Sequence, residues 1–138
     1  MIIRQYRDTD HPRIEELWKE TGIYRADRGD TREVISRCNQ QGGEFLVMEE
    51  PPGGRIVGTS WMTYDGRRIH LHHFAIHPSL QGRGWGRRLA VESLKHARKL
   101  GCPVKLEVHD ENKAAIHLYR SLGFVPFEDY HVYMLLEP

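Results

Sequence analysis

A glycine-dense turn in the second half of the chain constrains its fold more than any other feature. Gly82, Gly84 and Gly86 lie between an extended segment that ends at Pro78 and a helical stretch that ends at Gly101. Glycine adopts left-handed backbone conformations at little cost and lets the backbone approach a ligand closely. A strand, such a turn and a helix N-terminus together favour an anion site, because exposed backbone N–H groups and the helix dipole both attract negative charge.

The charges around this turn agree with an anionic ligand. Between residues 83 and 99 six cationic side chains accompany a single carboxylate, Glu92. The six are Arg83, Arg87, Arg88, Lys95, Arg98 and Lys99. The excess is local, because the 138-residue chain has 20 Lys and Arg against 19 Asp and Glu, which does not favour bulk nucleic-acid binding. We therefore expect a polyphosphate at the turn, with an ordinary glycine turn before a solvated basic helix as the alternative.

The order of the predicted elements indicates a single α+β domain over residues 1–138. Residue periodicity and turn signals predict strands over 2–6, 44–50, 55–64, 69–77, 104–109, 124–127 and 131–136. They predict helices that follow a cap at 8–10, cover 31–41, run from the glycine turn to residue 100, and cover 112–122. An antiparallel meander in the middle is thus followed by a strand–helix–strand crossover, which requires a mixed, mostly antiparallel sheet.

The composition also predicts where the protein works. Cys38 and Cys102 form no CxxC pair, so we expect both to be reduced thiols. The longest apolar run, 132–136, is far shorter than the roughly 18 residues that a membrane helix needs, and the N-terminal residues lack a signal-peptide pattern. These features predict a cytoplasmic protein without a membrane partner.

The spacing of the glycines distinguishes between the known polyphosphate motifs. No Gly-Lys pair occurs, so a Walker loop is excluded, and Arg87 occupies the third glycine position of the dinucleotide fingerprint. What fits is Gln81-Gly-Arg-Gly84-Trp-Gly86, preceded by Phe74-Ala-Ile-His-Pro78. This pair of segments resembles the acetyl-CoA signature of the GCN5-related N-acetyltransferase (GNAT) family, Gln/Arg-x-x-Gly-x-Gly/Ala after a strand.

The resemblance continues towards the C-terminus, through Leu106-Glu107-Val108-His109 and then from Asn112 to Phe124. These segments are similar to the bacterial enzymes that acetylate the N-termini of ribosomal proteins. The resemblance implies a three-layer α/β/α domain whose central sheet splays at the cofactor site. It also implies transfer of an acetyl group from acetyl-CoA to a primary amine, with no metal and no nucleic acid involved.

The resemblance assigns the cofactor-binding residues by position. The pantetheine arm is expected to pair with the backbone of Phe74, Ala75 and Ile76. The pyrophosphate is expected at the turn formed by Gln81, Gly82, Arg83, Gly84, Trp85, Gly86 and Arg87. Asn112 is expected to contact the cofactor arm, although an asparagine there also serves as an ordinary helix N-cap.

The reaction needs both a proton acceptor and a proton donor. An alkylamine must lose a proton before it attacks, and the departing thiolate must gain one. By the resemblance Tyr119 is the acid, while its helical spacing alone is more typical of a core tyrosine. Glu107 is the expected base, directly or through water, with a solvated strand carboxylate as the alternative. His70 and His72, predicted on one strand face with His73 on the other, are competing bases. The same run also permits a weaker zinc interpretation.

The acceptor amine is left open by the sequence. A peptide α-amine, a polyamine and an antibiotic amine all fit. Carboxylates that would attract a cationic amine are Asp27, Asp30, Glu128 and Asp129. Two further classes of function compete with the enzyme: a non-catalytic acyl-CoA sensor, and a nucleic-acid-binding domain that uses the basic helix but gives no reason for Gln81 and the glycines.

Overall fold

The computed structural model describes residues 1–24 and 29–138, which fall into two compact units, residues 1–107 and residues 108–138. The first unit holds strands β1 (Ile2–Gln5), β2 (Glu44–Glu49), β3 (Ile56–Tyr64), β4 (Ile69–Ile76) and β5 (Val104–Leu106). It also holds helices α1 (His11–Thr21), α2 (Arg32–Gln40) and α3 (Trp85–Leu100). The second unit holds helix α4 (Lys113–Ser121).

The sheet is mixed, as the order of elements predicted. Its strands follow chain order, with β1 to β4 antiparallel and β5 parallel to β4. The parallel pair is joined by α3, because two parallel neighbours need a crossover connection rather than a hairpin. The expected α+β class is confirmed.

Helices cover both faces of this sheet. On one face α1 buries Ile14, Leu17 and Trp18, the residues that its periodicity placed inward, against Phe45 and Trp61 of the sheet. On the other face Ser93 of α3 donates a hydrogen bond to the Ser60 hydroxyl at 2.7 Å. Ser60 and Trp61 are adjacent on β3, so their side chains point to opposite faces of the sheet. Helices α1 and α3 therefore lie on opposite faces.

Helices α1 and α2 differ in whether a side chain caps their first turn. Thr31, predicted as the first residue of this helix, is instead its N-cap, because its hydroxyl accepts a hydrogen bond from the Val34 N–H at 3.3 Å. Asp10 precedes α1, but its carboxylate makes no cap hydrogen bond. Instead it accepts hydrogen bonds from Arg4 and Arg13, each at 2.7 Å.

The predicted strands at the C-terminus are wrong, since residues 124–138 form no strand. The side chains that were to alternate there are open to solvent, with Val125 76% and Leu135 79% exposed. A two-stranded hairpin that buries no apolar face is at best marginally stable. The strand expected over 104–109 is shorter for a related reason, because its ladder with β4 ends at Leu106. No helix in the described part of the chain has both the length and the apolar character to cross a membrane.

Candidate active site

Strands β4 and β5 pair over a short distance and then separate. Their ladder contains three residue pairs, from Ile69–Val104 to Leu71–Leu106. The ladder between β3 and β4 continues further, to the pair Gly58–Ile76. The sheet thus opens on one side of β4 beyond Leu71, which is the splay that was expected. The three residues expected to bind the pantetheine arm, Phe74, Ala75 and Ile76, lie along this opening.

A β-bulge interrupts β4 where the strands separate. The register between β3 and β4 shifts between Thr59 and Trp61, and His73 has a φ of +43°, in the left-handed region. The rings of His72 and His73 both contact the Trp61 ring, with centroid distances of 5.9 and 5.4 Å. The prediction that His73 lies on the face opposite His72 is therefore wrong, because strict alternation does not survive a bulge.

The expected base and two of the histidines lie together where the opening begins. Glu107 Oε1 is 3.8 Å from His70 Nε2, and the His70 ring stacks on that of His72 at 3.9 Å. His72 Nε2 lies 2.8 Å from the Thr63 hydroxyl. Burial lowers the pKa of His72 to about 4, so this imidazole is neutral near pH 7. Glu107 keeps 47% of its side chain exposed, so water reaches it readily.

The third histidine has separate partners. Nε2 of His73 lies 2.9 Å from the carboxylate of Asp30, which is 4% exposed. The Trp18 ring packs against the imidazole at 4.5 Å. Sequence reasoning named Asp30 as an acceptor-binding carboxylate and His73 as one of three histidines, but nothing in the spacing connects two residues 43 positions apart.

The glycine turn after β4 has an open backbone. Gly82 and Gly84 have φ angles of +74° and +85°, and a Cβ built on either one meets nothing within 4 Å. Gln81 donates a side-chain hydrogen bond to the Ile76 carbonyl at 2.9 Å, which ties the turn to the end of β4. The first hydrogen bond of α3 runs from the Arg88 N–H to the Gly84 carbonyl, so the amides before Arg88 have no partner within the helix itself.

In the second unit, Asn112 and Tyr119 lie at the two ends of α4. The Asn112 Oδ1 accepts a hydrogen bond from the Ala115 N–H at 3.2 Å, so the expected cofactor contact is also the N-cap. Tyr119 is 8% exposed, and its ring contacts Phe124 at 5.6 Å. Desolvation raises the pKa of Tyr119 to about 12, which keeps the phenol protonated near neutral pH.

The other carboxylates named from the sequence differ in position. Asp27 lies outside the described residues. Glu128 and Asp129 are exposed on the segment that follows α4. Within the described ranges no three His, Cys, Asp or Glu side chains converge as metal ligands would.

Known proteins share this architecture. The family model described as the acetyltransferase (GNAT) family matches residues 11–124. The chain is similar to yncA of Salmonella typhimurium, solved with its cofactor acetyl-CoA, at 26% identity and TM-score 0.72, covering 90% of this chain and 79% of that one. It is also similar to the Escherichia coli ribosomal-protein-S18-alanine N-acetyltransferase, at 22% identity and TM-score 0.73, with 88% and 76% covered. A Trypanosoma brucei acetyltransferase aligns at 22% identity and TM-score 0.77, with 97% and 99% covered.

Proposed function

The chain belongs to the acetyltransferase (GNAT) family, and we propose that this acyltransferase moves an acetyl group from acetyl-CoA directly to a primary amine in a ternary complex. The observation that carries the proposal is the opening between β4 and β5 beside the glycine turn. A strand edge suits an amide-bearing pantetheine arm, and a helix N-terminus suits a pyrophosphate. Acetyl-CoA is the cofactor with which the Salmonella neighbour was solved.

The residues present fit such a cofactor. At Gly82 and Gly84 a side chain would occupy the space from which the pyrophosphate approaches the backbone amides, and both positions are open. Arg83 and Arg87 are exposed at the same turn and would add positive charge. Along β4, the backbone of Phe74, Ala75 and Ile76 would bind the pantetheine arm. Asn112 Nδ2 is the donor that remains for the cofactor, because Oδ1 serves as the N-cap.

Tyr119 is proposed as the proton donor to the departing thiolate. Acetyl-CoA, when bound, supplies an activated acyl group on a good leaving group. A buried phenol with a pKa of about 12 is protonated when the reaction begins, so it has a proton to give. The developing thiolate, with an ordinary thiol pKa of about 8.5, is a weaker base than the phenolate. A large part of the role of Tyr119 is therefore to place its hydrogen bond where the negative charge develops.

Glu107 is proposed as the group that receives the proton of the amine, through a water molecule. Its register, one residue beyond Leu106, places it level with His72 at the beginning of the opening. With 47% of the side chain exposed, a relaying water has access to the carboxylate. His72 is a weaker candidate, because a pKa of about 4 leaves the imidazole with little affinity for a proton.

The acceptor is a cationic primary amine in this proposal, and a protein N-terminus is the first class to test. The support is the motif similarity to N-terminal acetyltransferases together with the fold shared with the Escherichia coli neighbour. A non-catalytic acyl-CoA sensor is the second candidate, since the glycine turn alone does not require turnover.

The experiment is a screen of short peptides, polyamines and alkylamines with acetyl-CoA, followed by release of the CoA thiol and by mass spectrometry of the acceptor. Acetylation of an amine supports the proposal and names the acceptor. Calorimetric binding of acetyl-CoA without acetylation of any amine would favour the sensor instead.

A further inference from the structure

The pairing of His73 with Asp30 is not used by the mechanism proposed above. His73 is the only residue besides glycine, among those the structure describes, that has a positive φ. Such a backbone costs roughly 1–3 kcal/mol in a residue with a side chain and persists where the surroundings fix it. Strained residues of this kind are concentrated at functional sites, so the contacts that hold His73 indicate what its side chain is for.

Three contacts hold this residue. Thr59 donates its hydroxyl hydrogen to the His73 carbonyl at 2.7 Å, and Trp18 Nε1 donates to the same Thr59 oxygen at 3.0 Å. The rings of Trp18 and Trp61 lie 4.5 and 5.4 Å from the imidazole. Both the backbone and the ring plane of His73 are therefore fixed before any ligand binds.

Asp30 determines which imidazole nitrogen remains available. The carboxylate accepts the Nε2–H of His73 at 2.9 Å, and this leaves the lone pair of a neutral ring on Nδ1. Nδ1 makes no hydrogen bond within residues 1–24 and 29–138, and 19% of the side chain is exposed. The ring thus presents one oriented acceptor, with a buried negative charge behind it.

Among the residues that the structure describes, a second polar group of the same ring cluster is without a hydrogen-bond partner. Trp61 is 5% exposed, and its indole N–H finds no acceptor in the described part of the chain. A buried donor left without a partner costs about 1–3 kcal/mol, so the site suits an amine that carries a carbonyl or another acceptor atom besides its amino group. The Trp61 ring contacts the rings of both His72 and His73, so this indole lies beside the bulge in β4.

The charged groups near His73 indicate which class of ligand its side chain binds. Asp30 lies behind His73, and Glu107 lies where β4 and β5 separate, while burial keeps the nearby His72 neutral. The Asp30 carboxylate behind the imidazole favours a cation that donates hydrogen bonds. An alkylammonium group has this chemistry, and it needs its nitrogen held beside the strand that receives the thioester.

We propose that His73, oriented by Asp30, binds the amino group of the acceptor, with Nδ1 accepting a hydrogen bond from the ammonium. The proposal rests on the amine acetyltransfer described above and adds to it a residue that selects and positions a cationic amine. Glu107 remains the proton acceptor. Asp30 acts through His73 as a positioning residue.

The test uses n-butylamine as a cationic acceptor and hydroxylamine, which is largely neutral near pH 7.5, as an uncharged one. In His73→Gly the new residue keeps the left-handed backbone at little cost, and the imidazole with both of its nitrogens is removed. We expect kcat/KM for n-butylamine to fall at least tenfold, the effect of one charge-assisted hydrogen bond, with the acetyl-CoA Kd within twofold of wild type. Asp30→Asn should raise the KM for n-butylamine while changing hydroxylamine kinetics less than threefold.

The matched control is His96→Ala, which also removes an imidazole that pairs with a carboxylate. His96 lies on α3, with Nδ1 3.5 Å from Glu44 Oε2 and Nε2 2.9 Å from the Gly42 carbonyl. Its substitution should leave the acceptor KM unchanged. If His73→Gly weakens acetyl-CoA binding and leaves n-butylamine kinetics at saturating acetyl-CoA unchanged, His73 only maintains the bulge and the proposal is wrong.

A measurement without turnover separates this proposal from the proposed reaction. In CoA-saturated wild-type protein, added n-butylamine should shift the Nδ1 NMR resonance of His73 and leave that of His96 in place. A His73 resonance that stays fixed at saturating n-butylamine overturns the proposal even if acetylation occurs. A shift without acetylation of any amine supports the binding role and rejects the enzymatic one.

Discussion

Replacing Gly84 with alanine separates the cofactor role of the turn from its structural role. The Cβ that Gly84→Ala introduces would meet no protein atom within 4 Å, so no steric clash inside the protein is expected. The cost to folding comes only from a φ of +85°, about 1–2 kcal/mol for a residue with a side chain. The same methyl group would stand where the pyrophosphate approaches the amides. We expect the acetyl-CoA Kd to rise at least tenfold, which is about 1.4 kcal/mol.

Gly101 provides the control at the other end of the same helix. It has a φ of +67° and equally open space around a built Cβ, so Gly101→Ala should cost a similar folding free energy. Both variants should lower Tm by roughly 3–8 °C in calorimetry. In isothermal titration with acetyl-CoA, Gly84→Ala alone should lose affinity. Equal affinities in the two folded variants would refute a phosphate cradle at the turn.

Three further predictions concern proton transfer and the acid stability of the fold. Tyr119→Phe keeps the ring packing but removes the hydroxyl proton, so kcat should fall roughly a hundredfold while the acetyl-CoA Kd stays unchanged. Wild-type turnover in this variant would show that Tyr119 has only a structural role. Glu107→Gln should lower kcat/KM for the acceptor about a hundredfold near pH 7. Part of the loss should be recovered towards pH 9.5, where more of the amine is neutral. Parallel pH profiles of kcat/KM that differ by less than about threefold between variant and wild type would contradict this prediction. Hydrogen bonds from Arg4 lower the pKa of Glu49. Burial raises the pKa of Asp10, but hydrogen bonds from Arg4, Arg7 and Arg13 together outweigh it and lower the pKa. Both carboxylates therefore contribute stability above their ordinary pKa values of 4.5 and 3.8, and that stability is lost as the pH falls below them. Asp10→Asn should lower the free energy of unfolding by about 3 kcal/mol at pH 7 and flatten its decline in acid; an unchanged acid transition in urea titrations would contradict this account.

Local signals in the sequence predicted the parts of the fold that depend on neighbouring residues. The helical spacing of Ile14, Leu17 and Trp18 correctly indicated the buried face of α1. The left-handed Gly101 that ends α3 was equally visible, because a C-terminal glycine acts within one helical turn. The order of elements was sufficient to predict the mixed sheet.

The parts that sequence reasoning missed depend on distant partners. A bulge adds a residue to one strand, and no pattern marks His73 as that residue, since it is neither glycine nor asparagine. Its backbone is selected by Asp30, Trp18 and Thr59, which come from three other segments of the chain. The strands predicted over residues 124–127 and 131–136 are absent because an alternating pattern is a local signal, whereas strand formation requires a partner that buries the apolar side chains.

The three-pair ladder between β4 and β5 has a consequence for the order of folding. Strands β2, β3 and β4 join through short turns, whereas pairing Ile69 with Val104 closes a loop that contains all of α3. Closing the longer loop costs more chain entropy, and the three residue pairs of this ladder stabilise the paired state only slightly. We therefore expect β5 to join the sheet late and to detach first in local unfolding. A ligand that bridges β4 and the start of α3 would restrict the first part of this connection and so lower the entropy cost of closing it, and cofactor binding and completion of the fold would reinforce each other.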